Sequence, residues 1–214
     1  MTRQLYTFFR SSTSYRMRIA LAHKRLAYEP HYISLPKMQH REAGYRDLNP
    51  QGLVPLLVED EQPLIQSLAI IEYLDEIYPE PELIPKDPQE RAYVRAFSQI
   101  IGCDIHPLNN VRVLKRLQSQ FAASEDATNE WYRHWIAEGF IGLEKYVLQQ
   151  GRSGQFALGN AVTMADVCLV PQIFNARRFG CELGKYSKLN DIFENCMKLP
   201  AFTETQPNTQ PDAF

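Results

Sequence analysis

Four prolines fall within ten residues, at positions 79, 81, 85 and 88, and separate two segments of different character. Proline fixes φ and removes a backbone donor, so residues 79–88 cannot form the interior of a helix and suit a linker between domains. Before this stretch, short apolar runs alternate with helical patterns; after it, nearly every apolar run has helical period. The 214-residue sequence therefore predicts two domains, residues 1–80 and residues 88–214.

The first segment predicts the element order βαβαββα. The predicted strands are residues 5–9, 28–35, 54–58 and 63–65, and the predicted helices are residues 15–24, 42–46 and 68–78. Asp60 and Glu61 form the turn of a hairpin between the last two strands. A parallel βαβ unit followed by an antiparallel hairpin and a closing helix is typical of a thioredoxin-like domain.

The second segment predicts only helices. These are residues 88–105, 107–121, 127–149, 163–178 and 188–198. Thr163 and Asp166 have the spacing of a capping box before an apolar run, which favours a buried helix at the centre of the domain. The predicted fold class is therefore an α+β thioredoxin-like domain followed by an all-α domain.

Composition narrows the classes of function. Apolar residues make up 44% of the chain and charged residues 22%, as in globular proteins, and the net charge of −2 does not favour nucleic acid or an anionic membrane as a partner. No run is apolar enough for a membrane span, and the N-terminal apolar stretch is too short for a signal peptide, so we expect a cytoplasmic protein. The cysteines at 103, 168, 181 and 196 form no C-x-x-C pair and have no histidine at ligand spacing, which predicts reduced thiols and no metal site.

Hydroxyl side chains follow the first predicted strand, in the segment Ser11–Ser12–Thr13–Ser14. A helix N-terminus presents unpaired N–H groups and partial positive charge, which bind anions and lower the pKa of a thiol. A hydroxyl at this position can also donate to a thiolate. Taken alone, the segment is more simply explained as a serine-rich helix cap without a ligand.

A second candidate region is formed by Val54–Pro55 and Gln66–Ser67. A proline at the start of a strand indicates an edge strand or a special peptide geometry, and would leave the backbone N–H and C=O of Val54 facing outwards to pair with a peptide ligand. Gln66 and Ser67 directly precede a helix, so they are placed to bind a carboxylate.

A third candidate lies in residues 103–112 of the second segment. If this stretch is helical, His106, Asn109 and Asn110 share one face, with Arg112 nearby. Such a face suits a wet ligand cleft, and it suits an ordinary solvated helix surface equally well.

Taken together, these segments resemble zeta-class glutathione transferases, which include maleylacetoacetate and maleylpyruvate isomerases. The matching stretches are residues 10–21, 48–55, 66–74, 102–110, 163–172, 176–179 and 210–212. They span essentially the whole chain, and the first and fourth are specific to the zeta class. The resemblance implies a thioredoxin-like domain plus a helical domain, a homodimer, and glutathione bound in the cleft.

The resemblance also implies roles for individual residues. Those that would hold glutathione are Ser11, Ser12 and Thr13 around the sulfur, His40 and the Val54 backbone at the middle of the tripeptide, Gln66 and Ser67 at its γ-glutamyl end, and His106 and Asn110 from the helical domain. Those that would meet substrate carboxylates are Arg10, Arg112 and Arg178, with Arg177 as an adjacent competitor for the last position.

One position departs from the family pattern. Many zeta enzymes have Ser-Ser-Cys-Ser, whereas this chain has Thr13 at the cysteine. Threonine cannot be a thiol nucleophile or form a disulfide with glutathione, which disfavours peroxidase and haloacid-processing chemistry. Isomerisation needs only the glutathione thiolate and is unaffected.

The function predicted from the resemblance is a glutathione-dependent cis–trans isomerase of a small unsaturated diacid. The thiolate, stabilised by Ser11 and the helix start, would add to the cis double bond, allow rotation about the resulting single bond, and leave, so that glutathione is regenerated as a cofactor. Arginines suit the carboxylates and the enolate charge. The sequence does not distinguish maleylacetoacetate from maleylpyruvate, and two alternatives remain open: a conjugating transferase of other specificity, and a non-catalytic glutathione-binding protein.

Overall fold

A computed structural model describes residues 2–214 and divides the chain into two compact units. Unit 1 comprises the residues up to Leu83 together with Met197–Phe214, and unit 2 comprises Ile84–Cys196. The sequence-based boundaries, 1–80 and 88–214, differ from these units mainly in the placement of residues 197–214.

Unit 1 contains a four-stranded mixed sheet in the order β2-β1-β3-β4. The strands are β1 (Arg3–Thr7), β2 (Glu29–Tyr32), β3 (Leu56–Glu59) and β4 (Gln62–Ile65). Strand β1 is parallel to β2 and antiparallel to β3, and β3 is antiparallel to β4. The predicted hairpin turn is confirmed: Asp60 and Glu61 both have positive φ, 45° and 69°, as a tight hairpin requires.

Three helices pack with this sheet: α1 (Ser12–His23), α2 (Ala43–Leu48) and α3 (Ser67–Ile77). The predicted order βαβαββα and the thioredoxin-like layout are therefore confirmed. Met17, Ile19 and Leu21 of α1 are fully buried, as are Ile71 and Leu74 of α3. Burial of each such side chain contributes roughly 1.5–3 kcal/mol to stability.

The strand register brings three chain segments to the same end of the sheet. Tyr6 near the end of β1 pairs with Leu56 at the start of β3, and Leu56 pairs with Ile65 at the end of β4. The loop after β1, the residues before β3 and the residues after β4 therefore lie side by side. Strand β3 is central in the sheet, so the expectation of an edge strand at Pro55 is wrong, whereas the special geometry is present as a cis Val54–Pro55 bond.

Unit 2 is helical. Its helices are α4 (Pro88–Gln99), α5 (Val111–Phe121), α6 (Glu125–Gln150), α7 (Met164–Arg178) and α8 (Ser187–Cys196), with a π-helical turn at Ile100–Ile105. Most of α7 is buried, and the predicted capping box at its start is confirmed: an Asp166 carboxylate oxygen accepts from the Thr163 backbone at 2.8 Å.

The predicted helix over residues 107–121 starts four residues late. Pro107 has no N–H to donate, and Asn110 caps α5 by accepting a hydrogen bond from the Arg112 backbone at 3.1 Å. Residues 106–110 form a turn, so the expectation that His106, Asn109 and Asn110 share a helix face is wrong. Asn109 is instead buried, with its side-chain amide 3.4 Å from the Tyr132 carbonyl oxygen.

The last α-helix, α9 (Pro200–Thr203), belongs to unit 1. The Tyr15 hydroxyl of α1 donates to the Phe202 carbonyl at 2.7 Å, and Arg18 Nε donates to the Thr205 carbonyl at 2.9 Å. These contacts explain why residues 197–214 pack with the sheet unit rather than with the helices that precede them.

Within residues 2–214, the structure contains no helix with the length and apolar character that a bilayer span requires. The same residues contain no group of three or more histidine, cysteine or acidic side chains arranged to hold a metal ion. All four cysteines are free thiols.

Candidate functional site

A chain of hydrogen bonds connects the start of α1 to the residue before β3. Ser11 is the N-cap of α1, and its Oγ accepts from the Ser14 backbone at 3.2 Å. The hydroxyl oxygens of Ser11 and Thr13 are 2.9 Å apart, and Thr13 donates to the Val54 carbonyl at 2.9 Å. The Val54 carbonyl, which we expected to face outwards and pair with a peptide ligand, thus already accepts one hydrogen bond from the threonine hydroxyl.

The hydrogen bonds that link Ser11, Thr13 and Val54 have a defined direction. A hydroxyl carries one proton, and the proton of Thr13 goes to Val54, so the Ser11 hydroxyl must donate to Thr13. Ser11 can donate to an anion in this position only by turning its proton away from Thr13. The arrangement holds both hydroxyl oxygens at the helix N-terminus. Rotation of the Ser11 hydroxyl alone switches its proton from Thr13 to an anion.

The start of α1 is electrostatically suited to an anion. No acidic residue lies in its first turn, so no side chain of that turn reduces the partial positive charge of the helix terminus. Ser12, the first helical residue, is buried, whereas Ser11 and Thr13 are half-buried. A thiolate at this position gains from the helix terminus and from neighbouring hydroxyls, both of which lower the pKa of a thiol.

The backbone before Val54 is fixed by two donors. The Leu53 carbonyl accepts from the Tyr45 hydroxyl at 2.5 Å and from the Asn49 amide at 2.7 Å. Burial raises the pKa of Tyr45 to about 12, an effect that the hydrogen bond with Asn49 opposes, so the phenol stays protonated and remains a donor at neutral pH. Neither Tyr45 nor the bracing role of Asn49 was predicted from the sequence.

His40 lies in a short 3₁₀ helix, Gln39–Arg41, and is buried. Its backbone packs against the turn at Gly52, which has φ of +57°. A Cβ at Gly52 would lie 2.7 Å from the His40 carbonyl oxygen, too close for any side chain. The glycine in this turn therefore allows the His40 segment to approach the strand that starts after Val54.

Gln66 and Ser67 occupy the start of α3. Gln66 is exposed and adopts φ of +71° and ψ of 108°, a region that costs a residue other than glycine on the order of 1–3 kcal/mol and is concentrated at functional sites. Its side-chain amide donates to Gln51 at 2.7 Å. Ser67 is buried, and the next residues of the helix also present backbone N–H groups at this end.

A buried arginine that the sequence reading did not identify contacts this helix start. Arg16 of α1 is 1% exposed, and its Nη1 lies 3.4 Å from Ser67 Oγ. The signal in the sequence was a pair of arginines, at positions 16 and 18, inside the otherwise apolar stretch 15–21.

Arg10 lies directly before the hydroxyl cluster. Its guanidinium is 4.8 Å from the centre of the Phe9 ring and 5.0 Å from that of Phe214. The Phe9 backbone donates to Asp212 at 2.9 Å, which connects the C-terminal segment to the residues that precede α1. Unit 1 thus brings Arg10, Ser11, Thr13 and Val54 into one region.

The remaining predicted site residues belong to unit 2. His106 and Asn110 are half-buried in the turn before α5, and Arg112 is exposed in the first turn of that helix. The Trp131 indole donates to the Leu108 carbonyl at 2.9 Å, which ties this turn to α6.

Arg177 and Arg178 differ in their surroundings. Arg177 pairs with Glu194 at 2.8 Å and lies over the Phe193 ring. Arg178 lies 4.7 Å from the centre of the Phe179 ring, which stacks on Tyr132 at 3.6 Å. Since Tyr132 also contacts Asn109, Arg178 belongs to the same cluster as the 106–110 turn, whereas Arg177 faces α8.

Known proteins are similar to this chain both in sequence and in structure. The family model for the glutathione S-transferase N-terminal domain matches residues 5–82. The chain is 44% identical over 211 residues to a probable maleylacetoacetate isomerase of Vibrio cholerae, covering 98% of this chain and 97% of that protein.

Two solved structures are similar over nearly the whole length. The holo structure of a maleylpyruvate isomerase, a bacterial zeta-class glutathione S-transferase, is 44% identical with a TM-score of 0.96, covering 99% of this chain and all of the other. A maleylacetoacetate isomerase from Methylobacterium extorquens, with bound malonate and glutathione, is 33% identical with a TM-score of 0.95, covering 99% of each chain.

Proposed function

We propose that this chain, which belongs to the maleylacetoacetate and maleylpyruvate isomerase family of zeta-class glutathione transferases, isomerises a maleyl-type diacid to the fumaryl form with glutathione as cofactor. The observation that carries the proposal in this chain is the hydroxyl cluster of Ser11 and Thr13 at an α1 N-terminus without acidic residues.

The residues of unit 1 fit glutathione. We assign the thiolate to the start of α1, around Ser11, Ser12 and Thr13, with Ser11 as its hydroxyl donor because the Thr13 proton goes to Val54. We assign the middle of the tripeptide to Val54 and His40.

The γ-glutamyl end is assigned to Gln66 and Ser67, where the start of α3 offers backbone N–H groups to a carboxylate. His106 and Asn110 of unit 2 are assigned to the same cofactor on the basis of the family pattern.

Bound glutathione supplies a thiolate that adds reversibly to an activated double bond. The chain's own contribution is to stabilise negative charge in two places. The α1 N-terminus and Ser11 favour the ionised sulfur, and losing one such donor costs roughly one to three orders of magnitude in rate. Thr13 holds the Ser11 oxygen and the Val54 carbonyl in place through its two hydrogen bonds.

Arginine side chains are assigned to the substrate. A maleyl-type diacid carries carboxylates, and guanidinium groups bind carboxylates through two parallel hydrogen bonds and stabilise enolate charge. We assign this role to Arg10, Arg112 and Arg178. We assign the third position to Arg178 rather than Arg177 because Arg178 lies against Phe179, which stacks on Tyr132, in the cluster of the 106–110 turn, whereas Arg177 lies against α8 through Phe193 and Glu194.

We further propose a cytoplasmic homodimer that acts in the catabolism of aromatic amino acids or other aromatic compounds. Four free thiols, with no disulfide among the described residues, support a reducing compartment. The homodimer and the pathway rest on the family alone.

The test is to incubate the purified protein with maleylacetoacetate or maleylpyruvate, with and without glutathione, and to identify the products. We expect the fumaryl isomer of at least one substrate, formed only with glutathione. A glutathione adduct as the final product would identify a conjugating transferase, and no reaction with either diacid would favour a non-catalytic glutathione-binding protein.

A further inference from the structure

Arg16 is a buried cation without a counter-ion. Its side chain is 1% exposed, and its Nε and Nη2 atoms have no hydrogen-bond partner among residues 2–214. Its single hydrogen bond within the described chain is the 3.4 Å contact from Nη1 to Ser67 Oγ, and it forms no ion pair there.

Arg18, two residues further along α1, is the internal comparison. It is also 1% exposed, yet its guanidinium donates to Thr7 Oγ1 and to the carbonyls of Phe8, Phe9 and Thr205. Arg18 therefore acts as a structural clamp that joins α1 to β1 and to the C-terminal segment. Arg16 makes no comparable set of contacts, so the fold does not account for its burial.

Burying a charge without a partner is strongly unfavourable, and buried cations in proteins are almost always paired with an anion. Among residues 2–214, the one hydrogen-bond partner of the Arg16 guanidinium lies at the N-terminus of α3, an eleven-residue helix whose first N–H groups also attract an anion. Two independent features thus place positive potential at Ser67.

We propose that Arg16 is a positioning residue for the α-carboxylate at the γ-glutamyl end of glutathione, acting through Ser67. The inference rests on the proposed function, because it takes glutathione as the ligand of this helix start. The carboxylate would be the counter-ion that Arg16 lacks among residues 2–214.

Hydrogen-bond chemistry explains how the charge is transmitted. A guanidinium can only donate, so the Ser67 oxygen accepts from Arg16, and its own proton is left for another acceptor. The arginine thereby orients the serine hydroxyl as a donor and polarises it. Because Nε and Nη2 are sealed from solvent, the ligand contacts Ser67 and the backbone N–H groups rather than the guanidinium.

The test compares Arg16→Met with Arg18→Met, two buried positions in one helix. Melting is measured without ligand, and glutathione affinity is measured by calorimetry without substrate. Arg16→Met should melt at the same temperature as the wild type or higher, since an unpaired buried charge has been removed, yet bind glutathione roughly ten- to a hundredfold more weakly. Arg18→Met should melt at a clearly lower temperature, because several buried carbonyls lose their donor.

A truncated ligand isolates the carboxylate. The analogue γ-aminobutyryl-cysteinylglycine retains the amine and the chain length but lacks the α-carboxylate. Wild type and Arg16→Met should bind it with equal, weak affinity. In a Ser67→Ala background, Arg16→Met should have a smaller effect on glutathione affinity than it has alone, because the hydroxyl that transmits the charge is absent.

Each outcome decides the matter. An Arg16→Met protein that melts lower than the wild type or fails to fold would make Arg16 a structural residue and overturn the proposal, as would unchanged glutathione affinity. Wild type that binds glutathione but isomerises neither diacid would overturn the proposed function alone. Wild type that does not bind glutathione at all would overturn both.

Discussion

Replacing Ser11 with alanine removes a helix cap and the hydroxyl that we propose as the thiolate donor. The two losses have different magnitudes and different readouts. The cap is the hydrogen bond from the Ser14 backbone to Ser11 Oγ, at 3.2 Å. Loss of such a cap costs about 1 kcal/mol, which lowers the melting temperature of a protein of this size by roughly 2–4 °C.

The kinetic loss should be larger. A donor that stabilises developing or full negative charge contributes roughly one to three factors of ten to the rate, and the same free energy raises the pKa of the bound thiol by about one to three units. Ser11→Ala should therefore show a raised thiol pKa in an absorbance titration of the glutathione complex and a matching fall in kcat/KM at neutral pH. Thr13→Ala should have a smaller effect, because Ser11, Ser12 and the helix terminus remain.

Ser124 provides the matched control. It is the N-cap of α6, and its Oγ accepts from the Ala127 backbone at 3.1 Å, a cap of the same kind in unit 2. Ser124→Ala should lower the melting temperature by a similar amount and leave the thiol pKa and the rate unchanged. If Ser11→Ala turns over like the wild type while Thr13→Ala is inactive, the thiolate donor has been assigned to the wrong hydroxyl.

Two further predictions concern unit 2. Replacing Arg112 or Arg178 with methionine keeps the bulk of the side chain and removes its charge. We expect kcat/KM for the diacid to fall by a factor that corresponds to about 2 kcal/mol or more, while glutathione affinity stays nearly unchanged. Equal losses of kcat/KM and of glutathione affinity would instead place these arginines in the cofactor site or give them a structural role. Burial raises the pKa of Asp166 from 3.8 to about 6 against the hydrogen bonds that it accepts, so the folded state binds this proton more tightly than the unfolded state. The contribution to stability is full below about pH 4 and falls by about 3 kcal/mol as the pH rises through 6. The Asp166→Asn variant has no titrating carboxyl at this position. In urea unfolding, its free energy of unfolding minus that of the wild type should therefore rise by that amount from pH 4 to pH 7. A fall in this difference would show that the hydrogen bonds to the carboxylate outweigh the effect of burial.

The fold of unit 1 was largely predictable because local signals agree with it. Proline and glycine mark the turns, Asp60–Glu61 marks the hairpin, and the hydroxyls at 11–14 mark a helix start. The strand register then places Val54 and Ser67 at the same end of the sheet as Ser11, and no long-range contact has to be known. The segments that carry candidate cofactor contacts in unit 1 could therefore be brought together from the order of elements alone.

Other features depend on long-range contacts that a sequence does not display. Residues 197–214 pack with unit 1 through the bond from Tyr15 to the Phe202 carbonyl, between residues far apart in the chain. Helix α5 starts only at residue 111 because the Asn110 side chain caps it. Helix propensity alone does not show whether an asparagine lies inside a helix or caps its start.

Arg16 was missed for a related reason. Arginine is normally exposed, and its complete burial beside Ser67 becomes visible only when α1 and α3 are packed together.

The most direct test of the central claim is a turnover count with limiting glutathione. The purified protein, freed of bound glutathione, is given a large excess of the cis diacid, and the loss of the cis isomer and the total of free glutathione are followed together. We expect no reaction before glutathione is added, then many molecules of fumaryl product for each glutathione, with all of the free glutathione recovered at the end. Turnover in the glutathione-free protein, or product formation that stops once it equals the glutathione supplied, would contradict addition and elimination by a regenerated thiolate.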